Sequence, residues 1–223
     1  MTARPNRWQQ AAQKLGELIP WEDLHPVVRE QVDGAGRRKW VVAVSGGADS
    51  VALILLLWAH WPQRRDRLVL AHFDHGLRGR SSRADARFCE RLALALGITF
   101  ETRRWTNAPA DPSEASARVA RLDFLETVRR RHRAFWVWTG HHADDVAETL
   151  LMRIARGSGT AGLAAPRPVQ AEANRNTIRL RPLLNLRSEA IRQALTAAGA
   201  PWREDASNAS GRFQRNRMRH DVV

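Results

Sequence analysis

Apolar and polar positions follow two rhythms along this chain, one of helical period and one of short continuous runs. Trp8, Ala12, Leu15, Leu18 and Ile19 recur at helical spacing, which predicts an amphipathic helix ahead of any sheet. After the break at Gly34-Ala35-Gly36, Trp40 to Val44 is a short apolar run ending in a Ser-Gly-Gly turn. Ser50 onward then reads as a helix until Pro62 stops it. The rhythm repeats with Leu68 to Phe73 as a strand, Ala84 to Leu96 as a helix closed by Gly97, and Ile98 to Trp105 as a strand. Glu114 to Arg131 follows as a helix, Ala134 to Thr139 as a strand and Asp144 to Arg156 as a helix. Gly157 to Asn176 reads as a loop, Thr177 to Leu183 as an edge strand, Ser188 to Ala198 as a helix closed by Gly199, and Trp202 to Val223 as a polar, basic tail.

Such alternation predicts an α/β fold, a doubly wound parallel sheet covered by helices on both faces, with a small helical C-terminal extension. The expected division is an N-terminal helix and linker over 1–38, a nucleotide-binding domain over 39–185 and a helical basic tail over 186–223.

Composition changes this picture mainly through charge. The 223 residues carry a net charge of +13, and only Lys14 and Lys39 among the basic residues are lysine. Guanidinium groups grip phosphate in a two-pronged fork, so a polyanionic partner is expected. An arginine bias from codon composition accounts for the choice of Arg over Lys but not for the excess of base over acid. Cys89 is the single cysteine, which excludes an internal disulfide and a Cys-x-x-Cys metal or sulfur-relay site and fits a reducing, cytoplasmic setting. Met1 to Gln10 lacks an apolar signal core, and the longest apolar run, Val51 to Ala59, is far too short to span a bilayer, so neither export nor a membrane is expected.

Three polar clusters each follow an expected strand. The first is Ser45-Gly46-Gly47-Ala48-Asp49-Ser50, the second runs from Ala71 to Arg78 and the third from Thr139 to Asp145. In an open α/β sheet ligands sit beyond the carboxyl ends of the strands, where all three would meet. Gly46 and Gly47 allow a sharp turn with backbone N–H groups against phosphate, and Ser45 and Ser50 add hydroxyls at a helix start. No Lys follows the glycines, so this is not a Walker A loop. Asp49 would repel a phosphate unless a divalent cation lay between them, and it reads as a Mg²⁺ ligand. A plain turn with Asp49 as a helix cap is the bland alternative. Asp144, Asp145 and Glu148 concentrate acid near one helix start, where they could hold Mg²⁺, recruit an amine or only cap the helix. His72, His75, His141 and His142 with these acids also supply ligand types for a Zn²⁺ or Mn²⁺ hydrolase, a reading that leaves the glycine loop without a role.

The Ser-Gly-Gly-Ala-Asp-Ser loop resembles the PP-loop of the N-type ATP pyrophosphatases, whose fold is adenine nucleotide alpha hydrolase-like. Further segments narrow the resemblance to the tRNA(Ile)-lysidine synthetases. They are His72 to Arg78, Glu114 to Arg121, Gly140 to Thr149, Arg156 to Gly159, Arg181 to Leu184, Trp202 to Asn208 and Arg215 to Arg219. That family uses ATP to adenylate the wobble cytidine of an isoleucine tRNA with a CAU anticodon. Free L-lysine then displaces AMP, which changes codon reading from AUG to AUA.

The resemblance implies that Ser45, Gly46, Gly47, Ala48, Asp49 and Ser50, with His72, Asp74 and Gly140, bind ATP, and that Asp49 and Asp145 hold Mg²⁺. It implies catalytic roles for Asp49, Arg118 and Asp144, and substrate or tRNA contacts for Glu148, Arg215, Asn216 and Arg219. The family commonly carries further C-terminal tRNA-gripping domains; the chain ends at Val223 without them and is expected to be a short form or a fragment. A homodimer is compatible with the sequence and not required by it. Among relatives of the loop, sulfur-transferring tRNA enzymes generally use more cysteines than Cys89 supplies. Small-molecule amidating ligases do not account for the positive charge. A non-catalytic nucleotide- or RNA-binding module would need neither Asp49 nor Asp144.

Overall fold

The computed structural model describes residues 4–33, 36, 38–76, 80–109, 111–155, 157, 165–172 and 177–204. Arg215, Asn216 and Arg219, the Leu77-Arg78 pair and most of the Arg156 to Gly159 segment lie outside the described residues. Six strands form one sheet, β1 (Trp40–Ala43), β2 (Leu68–Asp74), β3 (Thr99–Arg104), β4 (Trp136–Trp138), β5 (Val169–Glu172) and β6 (Thr177–Leu180), in the order β3-β2-β1-β4-β6-β5. All neighbours pair in parallel except β5 with β6. Seven helices are described: α1 (Arg7–Leu18), α2 (Pro26–Asp33), α3 (Ala48–His60), α4 (Arg80–Leu96), α5 (Glu114–Arg131), α6 (Ala143–Ala155) and α7 (Ser188–Ala198).

The strands alternate faces with period two, and this builds two cores. Trp40, Val42, Leu68, Leu70, Trp136 and Trp138 point to one face, where they pack with α1, α3, α4 and α7 in the larger cluster. Val41, Val69, Ala71 and Val137 point to the other face, onto Phe124, Leu125 and Val128 of α5. Both faces are thus covered, which is why β1 and β4 are apolar at every position. Four indoles, Trp40, Trp61, Trp136 and Trp138, meet under the sheet with centroids 4.8–6.3 Å apart. No helix among the described residues is long and apolar enough to cross a membrane.

Three features differ from the sequence expectation. Helix α2 was not anticipated, though Val28 and Val32 are buried on its inner side. The stretch expected as a loop over Gly157 to Asn176 contains β5, and β6 is therefore an inner strand rather than the edge. Within this strand and just after it, Arg179 and Arg181 are buried. Arg179 forms an ion pair with Glu172 of β5, and Arg181 donates to Gln170 Oε1 at 2.9 Å.

Glu126 on α5 is the polar hub that fastens this half of the sheet. Its carboxylate accepts from Arg129 Nε and Nη2 at 2.8 Å, from Arg130 Nε at 2.6 Å and from Thr177 Oγ1 at 2.6 Å. Burial alone would raise this carboxyl, but the hydrogen bonds from Arg129, Thr177 and Arg130 hold it down to about 2. Its folded value lies below the ordinary 4.5, so its stabilisation is complete above that pH and is lost as the pH falls toward about 2. Glu126→Gln is expected to lower stability by roughly 2–3 kcal/mol at neutral pH, since one member of a largely buried pair is removed. The difference between variant and wild type should shrink in thermal melts as the pH is lowered below the usual carboxylate range. A gap that stays constant with pH contradicts the assignment.

Candidate active site

The strand order reverses direction on either side of β1, so β2 and β4 diverge from it and open a crevice at their carboxyl ends. Val44 N donates to Ala71 O at 2.9 Å, carrying the ladder one residue beyond β1 before the chain turns at Gly46, whose φ is +96°. A side chain rarely adopts that conformation, so glycine is required here. Ser50 Oγ accepts from Ser45 N at 3.1 Å and Gly46 N at 3.2 Å and donates to Gly47 O at 2.9 Å. Ser45 Oγ accepts from Gly47 N at 3.2 Å. The Ser50 hydroxyl, expected to reach a ligand, therefore holds the loop in shape. Gly47 occupies the cap position of α3 with no side-chain cap, which leaves the helix start open to an anion.

Gly140 comes from the loop after β4, and its reason is contact rather than flexibility. A Cβ built there would lie 2.7 Å from Asp49 O, 2.9 Å from Asp49 C and 3.2 Å from Ser50 N. The backbone after β4 thus buttresses the first turn of α3.

A cavity of about 600 Å³ opens above this junction. Ser45, Gly47, Asp49 and Ser50 form one side, His72 and Asp74 a second, Gly140 and His141 a third. Arg118 and Arg121 of α5 face them, with the buried Arg179 below. His72 is buried; its Nδ1 lies 2.9 Å from Val44 O, which fixes Nδ1 as donor and leaves Nε2 as acceptor. Burial pushes its pKa down, against the opposing effects of the Val44 hydrogen bond and of Asp74 and Asp85, and so keeps the ring neutral. Asp74 lines the cavity, but its Oδ1 accepts from Gly76 N at 2.7 Å and its Oδ2 lies 3.8 Å from Arg104 Nε. It shapes the turn after β2.

His142 gathers the acids. It is buried, its Nε2 lies 3.7 Å from Asp49 Oδ2 and 3.6 Å from Asp145 Oδ2, and its Nδ1 lies 3.5 Å from Asp144 Oδ2. Asp145 Oδ2 also accepts from His142 N at 3.0 Å, and Asp144 Oδ2 accepts from Ser188 N at 2.7 Å, tying the start of α7 to α6. The structure brings Asp49 and Asp145 to one nitrogen, His142 Nε2. Asp144, Asp145 and Glu148 are not among the residues lining the cavity, and Glu148 is buried in α6.

The histidines do not converge. His72 bonds Val44 O, His75 stands edge-on to Phe73, and His141 Nδ1 lies 3.0 Å from Thr139 Oγ1. Among the described residues no group of three or more His, Cys, Asp and Glu has the geometry to hold a metal. Mg²⁺ asks for less, taking one or two carboxylates and completing its shell with water and phosphate.

Sequence reading alone did not single out Arg203. Its N–H donates to Gly46 O at 2.9 Å and its Nε donates to Asp85 Oδ1 at 2.8 Å, so the last described residues strap the glycine turn onto α4. The lone Cys89 lies under the same turn, its thiol pushed up to about 12 by burial and then by Asp85, which removes it as a nucleophile.

Comparison with known proteins follows the same line. The family described as PP-loop domain matches residues 21–223. The tRNA(Ile)-lysidine synthase of Solibacter usitatus is 44% identical over 182 residues, covering 82% of this chain and 39% of that protein. That of Rhodopirellula baltica is 39% identical, covering 94% and 60%, and that of Ruegeria pomeroyi is 40% identical, covering 91% and 48%. The chain therefore spans between 39% and 60% of the length of these curated relatives. The solved structure of the U34-tRNA thiolase NcsA from Methanococcus maripaludis superposes with a TM-score of 0.67 at 16% identity, over 97% of this chain and 71% of that one. At that identity the likeness is one of fold.

Proposed function

The chain belongs to the PP-loop domain family, and from that premise we propose that it ligates free L-lysine to the wobble cytidine of an isoleucine tRNA with a CAU anticodon. The observation that carries the proposal is a PP-loop whose Asp49 shares its cavity with Arg118 and approaches the same His142 nitrogen as Asp145, in a chain 39–44% identical to tRNA(Ile)-lysidine synthases.

In the first step the C2 oxygen of cytidine attacks the α-phosphorus of ATP, and the bond to pyrophosphate breaks. In the second the lysine ε-amine attacks C2, and AMP leaves with the oxygen, the amine proton passing to a base. The chain's own part is alignment and charge neutralisation. The turn at Gly46-Gly47 and the uncapped start of α3 cradle the phosphates, and His72 Nε2 accepts from the adenine amine. Asp49 and Asp145 hold Mg²⁺, which neutralises charge on the phosphates when bound. Arg118 faces the α-phosphate or the extruded base. Asp144 orients this centre through His142. The same reading assigns 39–185 as the catalytic domain, 1–38 and 186–223 as its helical flanks, Arg215, Asn216 and Arg219 as RNA contacts, and the cytoplasm as the place of action.

The test is release of AMP and pyrophosphate from ATP with and without the CAU tRNA, and with and without lysine. Pyrophosphate release is expected only with the tRNA, and lysine is expected to become covalently attached to it. ATP turnover that ignores RNA would point to a small-molecule ligase and end this reading.

A further inference from the structure

A second cavity, of about 630 Å³, lies beside the first and shares Arg118 and His141 with it. Its chemistry is different. Arg118 on α5, Arg153 on α6, Arg167 ahead of β5 and Arg181 after β6 line it, and no carboxylate is among the described lining residues. Arginines from four segments of the chain thus line one space.

Arg181 is the anchor of this chamber. It is 3% exposed, its Nη1 donates to Arg167 O, its Nη2 donates to Gln170 Oε1, and its buried Nε has no hydrogen-bond partner. Burial lowers its pKa to about 10, and Arg179 and Arg118 push the same way against Glu172 and Asp145. An arginine held out of water among like charges is costly unless an anion completes its bonding. Arg167 is exposed and Arg153 half-buried at the same chamber, and the planar fork of each matches phosphate oxygens.

The identity of the anion follows from what the chamber lacks. None of Ser45 to Ser50 lines it, so the triphosphate cradled by the PP-loop has no need of it. Neither Phe nor Trp is among its described lining residues, and four arginines against one histidine favour an anion over a base. We infer that the chamber binds a backbone phosphate of an RNA strand, next to the nucleotide whose base enters the neighbouring cavity. The inference rests on the RNA-directed reading of that cavity. Arg118 and His141, common to both spaces, would then sit between the flipped base and its own backbone.

The experiment compares wild type with Arg153→Gln/Arg167→Gln and with Arg167→Gln alone, whose exposed side chain makes misfolding a minor concern. Binding of two labelled hairpins, one with a CAU loop and one of unrelated sequence, is measured by fluorescence anisotropy between about 50 and 200 mM salt. Loss of one phosphate contact should reduce the slope of log K against log salt by about 0.7–0.9, so the double variant should lose up to that amount and the single variant less. The loss is expected on both hairpins, because phosphate contacts carry no sequence information. The chamber is thereby tested even if the isoleucine tRNA is not the true substrate. An unchanged slope in both variants overturns the inference. So does an unchanged slope accompanied by weakened pyrophosphate binding, which would make the chamber part of the nucleotide site, or by a raised KM for lysine, which would make it a carboxylate site.

Discussion

Gly140→Ala is expected to reduce adenylation turnover by about 100-fold while leaving the protein folded, through a clash with no soft partner. The added methyl would stand 2.7 Å from Asp49 O and 2.9 Å from Asp49 C. Both atoms are backbone at the first turn of α3, so no side chain can swing away. Either the loop after β4 or the start of α3 must retreat, and both carry the site. A displacement on the order of 1 Å between positioned groups costs about 10²-fold in rate, and the overpacking itself costs about 1–3 kcal/mol. Stopped-time assays of AMP formation and thermal melts read the two effects separately. If the variant melts and turns over as wild type, Gly140 is not a buttress of the PP-loop.

Asp49→Asn is expected to lower turnover by roughly 100- to 1,000-fold at saturating ATP, tRNA and lysine, with little change in melting temperature. The side chain keeps its size, and the lost helix-start interaction is worth only about 0.3–1 kcal/mol. What disappears is one of two carboxylates that approach the same His142 nitrogen at 3.7 and 3.6 Å. With Asp145 left alone, a cation would be held more weakly, so the Mg²⁺ concentration giving half-maximal rate should rise. Wild-type turnover, or an unchanged Mg²⁺ requirement, would remove Asp49 from the phosphate-neutralising role.

These two expectations draw on different sources. The importance of Asp49 was legible in the chain, because a carboxylate inside a glycine-rich phosphate loop needs a cation to make chemical sense. The buttressing by Gly140 was not, because the clash involves backbone about ninety residues away in sequence. Ser50 is an intermediate case. Its place in the loop was evident, but its hydroxyl satisfies Ser45 and Gly46 N–H groups instead of waiting for a ligand. Asp144 likewise belongs to the acid cluster by sequence, and only the packing of α7 reveals that Ser188 N takes its Oδ2.

By itself the sequence determined the strand and helix succession from β1 through β4, the glycine loop at the end of β1, and the helix that Gly199 closes with its φ of +67°. Each is a local matter, set by the period of apolar residues and by the backbone freedom of glycine. Tertiary structure decided the β5–β6 hairpin, the burial of Arg179, Arg181 and Glu148, and the meeting of Asp49 with Asp145 across His142. Charged side chains read as surface until their partners are known, and those partners come from segments that only folding brings together.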